Sequence, residues 1–546
     1  MKVFSGTSVL PGVAIGPLQV VETAGQAVEK KTVVDPGAEV ERYEEAKAHA
    51  MEELKGLYEL AVGKAGEENA AIFDIHQMLL DDSDFNEAVI STIMDQKVNA
   101  EYAVKTQGKA FAHSFTALDD GYMSARATDM IDVSDRVVQC LQGNVTQQDP
   151  GREGEAIILA DELTPSQTIQ MDKSKVLSFV TRRGSASSHS SILAHALNLP
   201  SLVGVDLNGD LRQYDCRMAV MDGFQGKLIL EPDAETLASY RRRQEEYRRD
   251  TASLKELIGK ENVTPDGRKI RIFANIGSVQ DADLALANDA GGIGLFRSEF
   301  LYLGRDNFPT EEQQFESYRA VAEKMQDKLV IIRTLDIGAD KQADYFHLDR
   351  EENPALGYRA IRICLTQREI FETQLRALLR ASAYGNIGIM FPMIASVWEV
   401  RQAREILEQV RKGLQAEGTT CGTPKVGIMI ETPAAALISD RLSREADFFS
   451  IGTNDLTQYT LAADRQNQKL APFVDTHHEA ILRLIRMTAE NARKAGIPVG
   501  ICGELAADES LTGTFLDIGI DELSVAPGSI LKLRRAIRNG AGRKQK

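Results

Sequence analysis

The second half of the chain repeats one pattern eight times. From about residue 268 to the end of the 546-residue sequence, short apolar runs of strand length alternate with stretches of helical periodicity. The runs are Ile270–Ile276, Gly292–Phe296, Leu329–Arg333, Gly388–Met393, Val426–Ile430, Phe448–Ile451, Pro498–Cys502 and Glu522–Val525. Eight successive strand–helix units are typical of a parallel sheet that closes on itself with its helices outside. The sequence therefore predicts a (β/α)₈ TIM barrel over residues 263–546.

The first half of the chain is organised differently and predicts two further parts. Helical periodicity covers Ala38–Lys64, Asn69–Leu80, Ala100–Phe111 and Ala127–Gln142. Short strand-like runs occur within residues 1–22 and at Ala156–Ala160, Val176–Val180 and Met218–Met221. We expect residues 1–22 and 144–231 to form one α/β domain, with a helical bundle of residues 23–143 inserted in it. A charged helix over 232–262 is expected to connect this domain to the barrel, so the fold class is multidomain α/β.

Composition and charge indicate which kinds of binding partner are disfavoured and which cellular compartment is expected. The formal net charge is −17, which disfavours nucleic acids and anionic membranes as partners. The five cysteines are an odd, sparse set without a CxxC pair, which argues for a reducing compartment and against a disulfide framework or a structural zinc site. The N-terminus does not resemble a signal peptide, and no apolar run approaches membrane-spanning length. We expect a cytoplasmic protein.

Charged and polar side chains follow five of the eight predicted strands. Catalytic groups of such barrels lie at the carboxyl ends of the strands, so these residues are expected to converge at one mouth. They are Arg297 and Glu299, then Arg333, Asp336 and Lys341, then Glu431, then Asn454, Asp455 and Arg465, and finally Cys502 and Glu504. Arginine suits bidentate binding of phosphate or carboxylate, whereas Glu431 and Asp455 suit Mg²⁺. The expected ligand is a small phosphorylated carboxylate held with Mg²⁺. Cys502 is consistent both with a buried small apolar residue and with a proton donor or nucleophile.

A histidine in a serine-rich segment is the second candidate reactive group. Ser187 or Ser188 is a natural helix N-cap, which places His189 in the first turn, where free N–H groups and the helix dipole favour an anion. An imidazole at this position makes sense if it carries a phosphoryl group. The alternative is a surface histidine that happens to follow a serine-rich turn. His195, further along the segment, is consistent with simple packing on the helix face.

The segment Ile72–Leu80 of the helical region is more apolar than a solvated helix face. Two interpretations are open. The first is the core of the bundle, and the second is a surface on which a partner docks.

Several long motifs resemble those of one enzyme family. They include Leu163-Thr-Pro-Ser, Ser188-His-Ser-Ser-Ile, Gly294-Leu-Phe-Arg-Ser-Glu-Phe, Arg333-Thr-Leu-Asp-Ile-Gly, Glu352-Asn-Pro-Ala-Leu-Gly-Tyr-Arg, Glu431-Thr-Pro-Ala-Ala and Phe449-Ser-Ile-Gly-Thr-Asn-Asp. Over nearly its whole length the chain resembles enzyme I of the bacterial phosphoenolpyruvate:sugar phosphotransferase system. The resemblance implies a swivelling phosphohistidine α/β domain with an inserted helical bundle, followed by a barrel that binds phosphoenolpyruvate. Flexible joins are then expected near residues 143–154 and 232–262.

The resemblance also implies roles for individual residues. His189 takes the phosphoryl group from phosphoenolpyruvate and passes it to a histidine of the carrier protein HPr, which docks on the helical insertion, as the first step of sugar uptake. Cys502 protonates the enolate to give pyruvate. The implied metal ligands for Mg²⁺ are Glu431 and Asp455. The implied substrate contacts are Arg297, Arg333, Asn454 and Arg465, with Lys341 and Arg359 in support. Members of this family are homodimers through the barrel.

Three positions depart from the family pattern, and they keep an alternative open. The family usually has a glycine where this chain has Ser185, a basic residue at Ala186 and an arginine at His195. These changes support a regulatory protein that senses phosphoenolpyruvate or sequesters HPr with little turnover, although the complete set of barrel residues argues against it. A related pyruvate, phosphate dikinase or phosphoenolpyruvate synthase is disfavoured, since the chain before residue 156 has no room for an ATP-grasp domain.

Overall fold

The computed structural model consists of two compact units, Met1–Arg249 and Asp250–Lys546. The structure describes residues 1–21, 28–65, 67–116, 121–143, 154–172, 174–184, 191, 194, 199–303, 305, 307–338, 344–349, 351–465 and 467–540. Among the helices it describes, none is both long and apolar enough to cross a membrane.

The first unit contains a mixed sheet built from two separate parts of the sequence. Its strands are β1 (Lys2–Ser5), β2 (Thr7–Leu10), β3 (Val13–Val21), β4 (Ala156–Ala160), β5 (Val176–Thr181), β6 (Ser201–Val203), β7 (Met218–Asp222) and β8 (Lys227–Leu230). They lie in the order β1-β8-β7-β3-β4-β5-β6-β2. Strand β3 is central, because it pairs antiparallel with β7 and parallel with β4. The first strands of the chain therefore belong to the same sheet as the strands that follow residue 155.

In the part of the chain that the structure describes, five helices lie between β3 and β4. They are α1 (Pro36–Ala65), α2 (Glu67–Asp81), α3 (Ser83–Gln96), α4 (Ala100–Thr116) and α5 (Gly121–Gln142), and a short α6 (Pro165–Gln170) follows β4. Four of the five match predicted helices. Helix α3 was not predicted, although Asp82 caps its first turn and its buried residues Phe85, Val89 and Ile93 recur at helical spacing.

Helix α2 contains the apolar segment Ile72–Leu80. Its residues Ile72, Phe73 and Leu80 are buried in the core of the bundle, whereas the side chain of Met78 is 70% exposed. The core interpretation is therefore correct for one face of this helix, and Met78 lies on the other.

The second unit is the barrel that the sequence predicts. Its strands are β9 (Arg271–Ile276), β10 (Ile293–Arg297), β11 (Val330–Arg333), β12 (Ile387–Phe391), β13 (Lys425–Ile430), β14 (Phe449–Ile451), β15 (Val499–Ile501) and β16 (Glu522–Val525). All eight neighbouring pairs are parallel, and β16 pairs with β9 to close the sheet. Each strand coincides with one predicted run to within one or two residues, so the fold prediction is confirmed.

The remaining helices follow the first unit in the sequence, and most of them surround the barrel. Helix α7 (Ala234–Lys255) contains the boundary between the units. The barrel helices are α8 (Val279–Ala287), α9 (Glu311–Met325), α10 (Ile361–Thr366), α11 (Arg368–Ala381), α12 (Val397–Ala416), α13 (Pro433–Leu437), α14 (Ser439–Leu442), α15 (Thr453–Leu461), α16 (Glu479–Ala495), α17 (Thr512–Ile518) and α18 (Ile530–Arg538).

Two apolar layers hold the barrel together. The larger layer lies between strands and helices, which explains why the strands are almost continuously apolar. A smaller cluster contains Leu295, Ile331, Met390, Met429, Phe448 and Cys502. Phe448 fits closely against β13 because residue 427 is glycine: a Cβ atom there would lie 2.3 Å from the Phe448 ring. Cys502 thus belongs to an apolar layer of the barrel as well as to the end of a strand.

Candidate active site

The carboxyl ends of the barrel strands bring most of the predicted site residues to one face. Arg297 ends β10 and Arg333 ends β11, while Glu431 and Cys502 directly follow β13 and β15. Asp455 lies in the first turn of α15, directly after β14. Because all eight strands are parallel, these positions share one end of the barrel.

Two arginines share one carboxylate in the interior of this face. Asp336 Oδ2 lies 2.9 Å from Arg333 Nη1, and Asp336 Oδ1 accepts a hydrogen bond of 2.8 Å from Arg359 Nη2. Arg333 also donates to Glu299. All four side chains are buried. Asp336 therefore orients two guanidinium groups that come from positions 26 residues apart in the sequence (359 − 333).

The buried guanidinium groups remain charged. Burial alone lowers the pKa of Arg333, but the carboxylates of Asp336, Glu299 and Glu431 more than offset it, so the pKa lies above its usual range. The same balance, with Asp336 and Asp455 as the main carboxylates, raises the pKa of Arg359. Fixed positive charge in a site largely withdrawn from water is suited to holding an anionic substrate.

Glu431 and Asp455 form a carboxylate pair beside these arginines. The backbone N–H of Met393 donates to Glu431 Oε1 at 2.6 Å. Burial raises the pKa of Glu431, and the negative charges of Asp455 and Asp336 add to the effect. Asp455 Oδ1 is buried and lies 3.9 Å from Arg359 Nη1, but it accepts no hydrogen bond from the residues that the structure describes. Two close carboxylates, one with a buried oxygen that accepts no hydrogen bond, fit a hard divalent cation such as Mg²⁺, which takes oxygen ligands.

Residue 452 must be small for this pair to form. A Cβ atom on Gly452 would lie 2.9 Å from both Cβ and Oε2 of Glu431. Glycine therefore allows the backbone that leads into α15 to pass directly against the Glu431 side chain.

The side chains of Asn454, Arg465 and Arg297 lie nearer to solvent than the two buried arginines. Asn454 and Glu504 form a reciprocal pair, in which Asn454 Nδ2 donates to Glu504 Oε1 at 3.0 Å and the Glu504 N–H donates to Asn454 Oδ1 at 2.9 Å. The exposed Arg465 lies 3.8 Å from Asp455 Oδ2. Arg297 is exposed and forms no ion pair within the described part of the chain. It is thus available to a ligand.

Cys502 is a buried thiol. Its side chain is 3% exposed, and Sγ lies 3.7 Å from the carbonyl oxygen of Ile451, to which it donates. Burial raises the pKa of Cys502 to about 11, and the charge of Glu431 contributes. The thiol is therefore protonated at neutral pH, which is the form that a proton donor requires and a nucleophile does not.

Some predicted residues lie outside the described part of the chain. They are His189, Lys341, Ser185, Ala186 and His195. The roles expected of them stay predictions.

The structure adds supporting residues to which the sequence analysis gave no role. Gln374 of α11 is fully buried; it accepts from the Leu335 N–H at 2.9 Å and donates to Ser298 Oγ at 3.0 Å. It thus joins the segments after β10 and β11. Tyr459 accepts from Arg359 Nη1 at 3.4 Å. Gln374 could have been found from the sequence as a single amide residue on a helix face that is otherwise apolar.

Comparison with known proteins identifies the family. The family model described as the PEP-binding domain of PEP-utilising enzymes matches residues 251–541, the N-terminal model of the same enzymes matches residues 5–126, and the mobile-domain model matches residues 152–226. The phosphoenolpyruvate-protein phosphotransferase of Geobacillus stearothermophilus is 43% identical over 540 residues, or 98% of this chain and 93% of that protein. The chain belongs to the phosphoenolpyruvate–protein phosphotransferase family.

Further members of this family show the same level of similarity. The phosphoenolpyruvate-protein phosphotransferases of Bacillus subtilis and Listeria monocytogenes are each 42% identical, over 98% of this chain and 94% of their own length. The resemblance inferred from the motifs is confirmed, and the barrel mouth described above lies within the segment that matches the PEP-binding model.

Proposed function

We propose that this enzyme transfers the phosphoryl group of phosphoenolpyruvate to its own His189 and then to a histidine of the carrier protein HPr, releasing pyruvate. The observation that carries the proposal is the combination at one barrel mouth of two buried guanidinium groups, a carboxylate pair and a protonated thiol. Each of these groups has a separate task in the reaction.

The cations bind and orient the substrate. Arg297, Arg465 and Asn454 reach the phosphate and carboxylate from the solvent side, and Arg333 reaches them from inside. Lys341 and Arg359 are supporting contacts. Phosphoryl transfer depends mainly on positioning and on neutralising charge, which explains the number of fixed cations. Glu431 and Asp455 would hold Mg²⁺, and the ion would supply positive charge that offsets the negative charge of the substrate.

In the proposed reaction Cys502 supplies the proton that converts the enolate to pyruvate. The bond between phosphorus and the enol oxygen breaks, and a nitrogen of neutral His189 forms the new bond to phosphorus. The methylene carbon of the resulting enolate takes the proton of the Cys502 thiol, which gives pyruvate. Solvent then returns a proton to the thiolate. A thiol whose pKa is about 11 is readily reprotonated at neutral pH.

The proposed domain boundaries, the docking of HPr, the homodimer and the compartment follow from the family. The phosphohistidine domain consists of residues 1–22 and 144–231, the helical bundle 23–143 docks HPr, residues 232–262 connect, and the barrel 263–546 forms a homodimer in the cytoplasm. The joining segments allow the phosphohistidine domain to swivel between the barrel and HPr. The shared sheet of residues 2–21 and 156–230 supports this division of the first unit.

Labelling with radioactive phosphoenolpyruvate and Mg²⁺ tests the proposal. The parent protein is expected to acquire an acid-labile, alkali-stable label that passes to added HPr. His189→Ala should acquire none, while His113→Ala, a histidine of α4 outside the proposed relay, should be labelled normally. If the parent binds phosphoenolpyruvate but stays unlabelled, the relay is silent and the regulatory interpretation based on Ser185, Ala186 and His195 replaces it.

A further inference from the structure

A second group of metal-ligand side chains lies in the helical region of the first unit, away from the barrel residues. His49 and Glu53 occupy successive turns of α1, and Cys140 lies near the end of α5. The ligand atoms of these three side chains all lie within 4.8 Å of one another. Neither the proposed phosphotransfer nor the family comparison uses these residues.

The distances suit a single tetrahedral ion. His49 Nδ1 lies 3.5 Å from Cys140 Sγ and 3.6 Å from Glu53 Oε1. In a tetrahedral zinc site the bond lengths imply ligand separations of about 3.5 Å between nitrogen and sulfur and about 3.3 Å between nitrogen and oxygen. Both separations from His49 Nδ1 are therefore close to those of such a site, and Cys140 Sγ lies within 4.8 Å of a Glu53 carboxylate oxygen.

Neighbouring contacts hold the carboxylate in place. Arg136 of α5 donates to Glu53 Oε2 at 2.6 Å, which leaves Oε1 directed towards His49. Ligand residues of metal sites are commonly oriented in this way by a second hydrogen bond. The His49 side chain is 58% exposed, so an ion reaches the group from solvent.

We propose that His49, Glu53 and Cys140 bind one Zn²⁺ ion, with water in the fourth position. One imidazole, one carboxylate and one thiolate are a ligand set that zinc uses, whereas Mg²⁺ prefers oxygen ligands alone. The bound ion joins α1 to α5 and ties the middle of the first helix of the bundle to the end of the last. This inference is independent of the phosphotransfer proposal.

Binding of one Zn²⁺ ion releases one proton, which comes from the Cys140 thiol. A cysteine thiol ordinarily keeps its proton at neutral pH, whereas zinc binds the thiolate. Zn²⁺ displaces the thiol proton to solvent and forms a bond to sulfur. His49 contributes the lone pair of Nδ1 and keeps its proton on Nε2. The affinity is therefore expected to rise with pH, as thiolate sites do.

Titration with Zn²⁺ and Co²⁺ tests the site. The protein is the full chain without an affinity tag, stripped of metal and kept reduced by a reductant that does not bind metals. Co²⁺ is expected to give a thiolate-to-metal charge-transfer band and the visible bands of a tetrahedral site, and Zn²⁺ should displace it one for one. Cys140→Ser and His49→Ala should each lose the charge-transfer band and bind Zn²⁺ at least about 10-fold more weakly. Cys216→Ser, which removes an exposed cysteine elsewhere, should behave like the parent.

A second readout keeps the test decisive if Cys140→Ser folds poorly. His49 is exposed, so His49→Ala is expected to fold, which circular dichroism checks. Zn²⁺ should raise the melting temperature of the first unit in the parent and leave that of the first unit in His49→Ala unchanged. The proposal is overturned if His49→Ala keeps the charge-transfer band, or if parent and both variants bind Zn²⁺ equally.

Discussion

At the scale of single residues, Asp336 is the carboxylate that two buried arginines share. It neutralises both Arg333 and Arg359, and all three side chains are buried. The two guanidinium groups keep their charge because their pKa values are raised, so losing the shared carboxylate leaves buried positive charge without compensation.

We expect Asp336→Asn to lower the free energy of unfolding of the barrel unit by about 3–5 kcal/mol, the usual effect of removing one partner of a buried ion pair. The phosphorylation rate with phosphoenolpyruvate should also fall. Denaturant unfolding and labelling kinetics measure the two effects. The matched control is Asp517→Asn, which breaks an exposed pair with Arg268 and should change stability by less than about 1 kcal/mol. Equal effects for the two variants would show that Asp336 does not stabilise the buried array.

At the scale of elements, strand β16 begins with an unexpected charge. Glu522 is buried at the amino end of this strand, so it lies at the end of the barrel opposite the active site. Burial raises its pKa to about 7, and Arg271, 4.0 Å away, lowers it only in part. Glycine at position 294 makes room for it, since a Cβ atom there would lie 2.7 Å from Glu522 Oε1.

The raised pKa predicts a loss of stability as the pH rises. Below about pH 4.5, Glu522 is protonated in both the folded and unfolded states and contributes nothing. Between about pH 4.5 and 7 the unfolded state loses the proton first, so the folded state becomes less stable, by up to roughly 3 kcal/mol above pH 7. Glu522→Gln should remove this loss, so it should be more stable than the parent at pH 8 and similar at pH 4.5. Unfolding curves at several pH values check this, with the exposed Glu509→Gln as control, and a pH-independent difference would contradict it.

At the scale of the whole molecule, each unit has its own apolar core. The clusters of the first unit contain residues between Ala14 and Leu230, and those of the second contain residues between Ile270 and Ile537. Separate cores are the physical basis for separate cooperative unfolding.

Calorimetry is therefore expected to show two unfolding transitions. Phosphoenolpyruvate with Mg²⁺, added to His189→Ala so that no transfer occurs, should raise only the transition of the barrel unit, because a ligand stabilises the unit that binds it. An unrelated sugar phosphate serves as control and should move neither. A single transition, or an equal rise of both, would contradict the independence of the two units.

The eight barrel strands could be predicted from the sequence because strands covered on both faces are continuously apolar. The helix α3 was not predicted, although its pattern is present. The contacts of Gln374 could not be predicted at all, since its partners lie 39 and 76 residues away and only the folded barrel brings them together.

The sequence by itself determined the order of the parts, the barrel and the family, because local periodicity and contiguous motifs carry that information. The tertiary structure decided how each side chain is surrounded. The sequence is consistent with Cys502 as a buried apolar residue and as a reactive group. In the structure Cys502 is a buried thiol that keeps its proton. His49 and Cys140 lie 91 residues apart, and only the packing of α1 and α5 makes them neighbours. Burial and proximity depend on the whole chain, so no local pattern contains them.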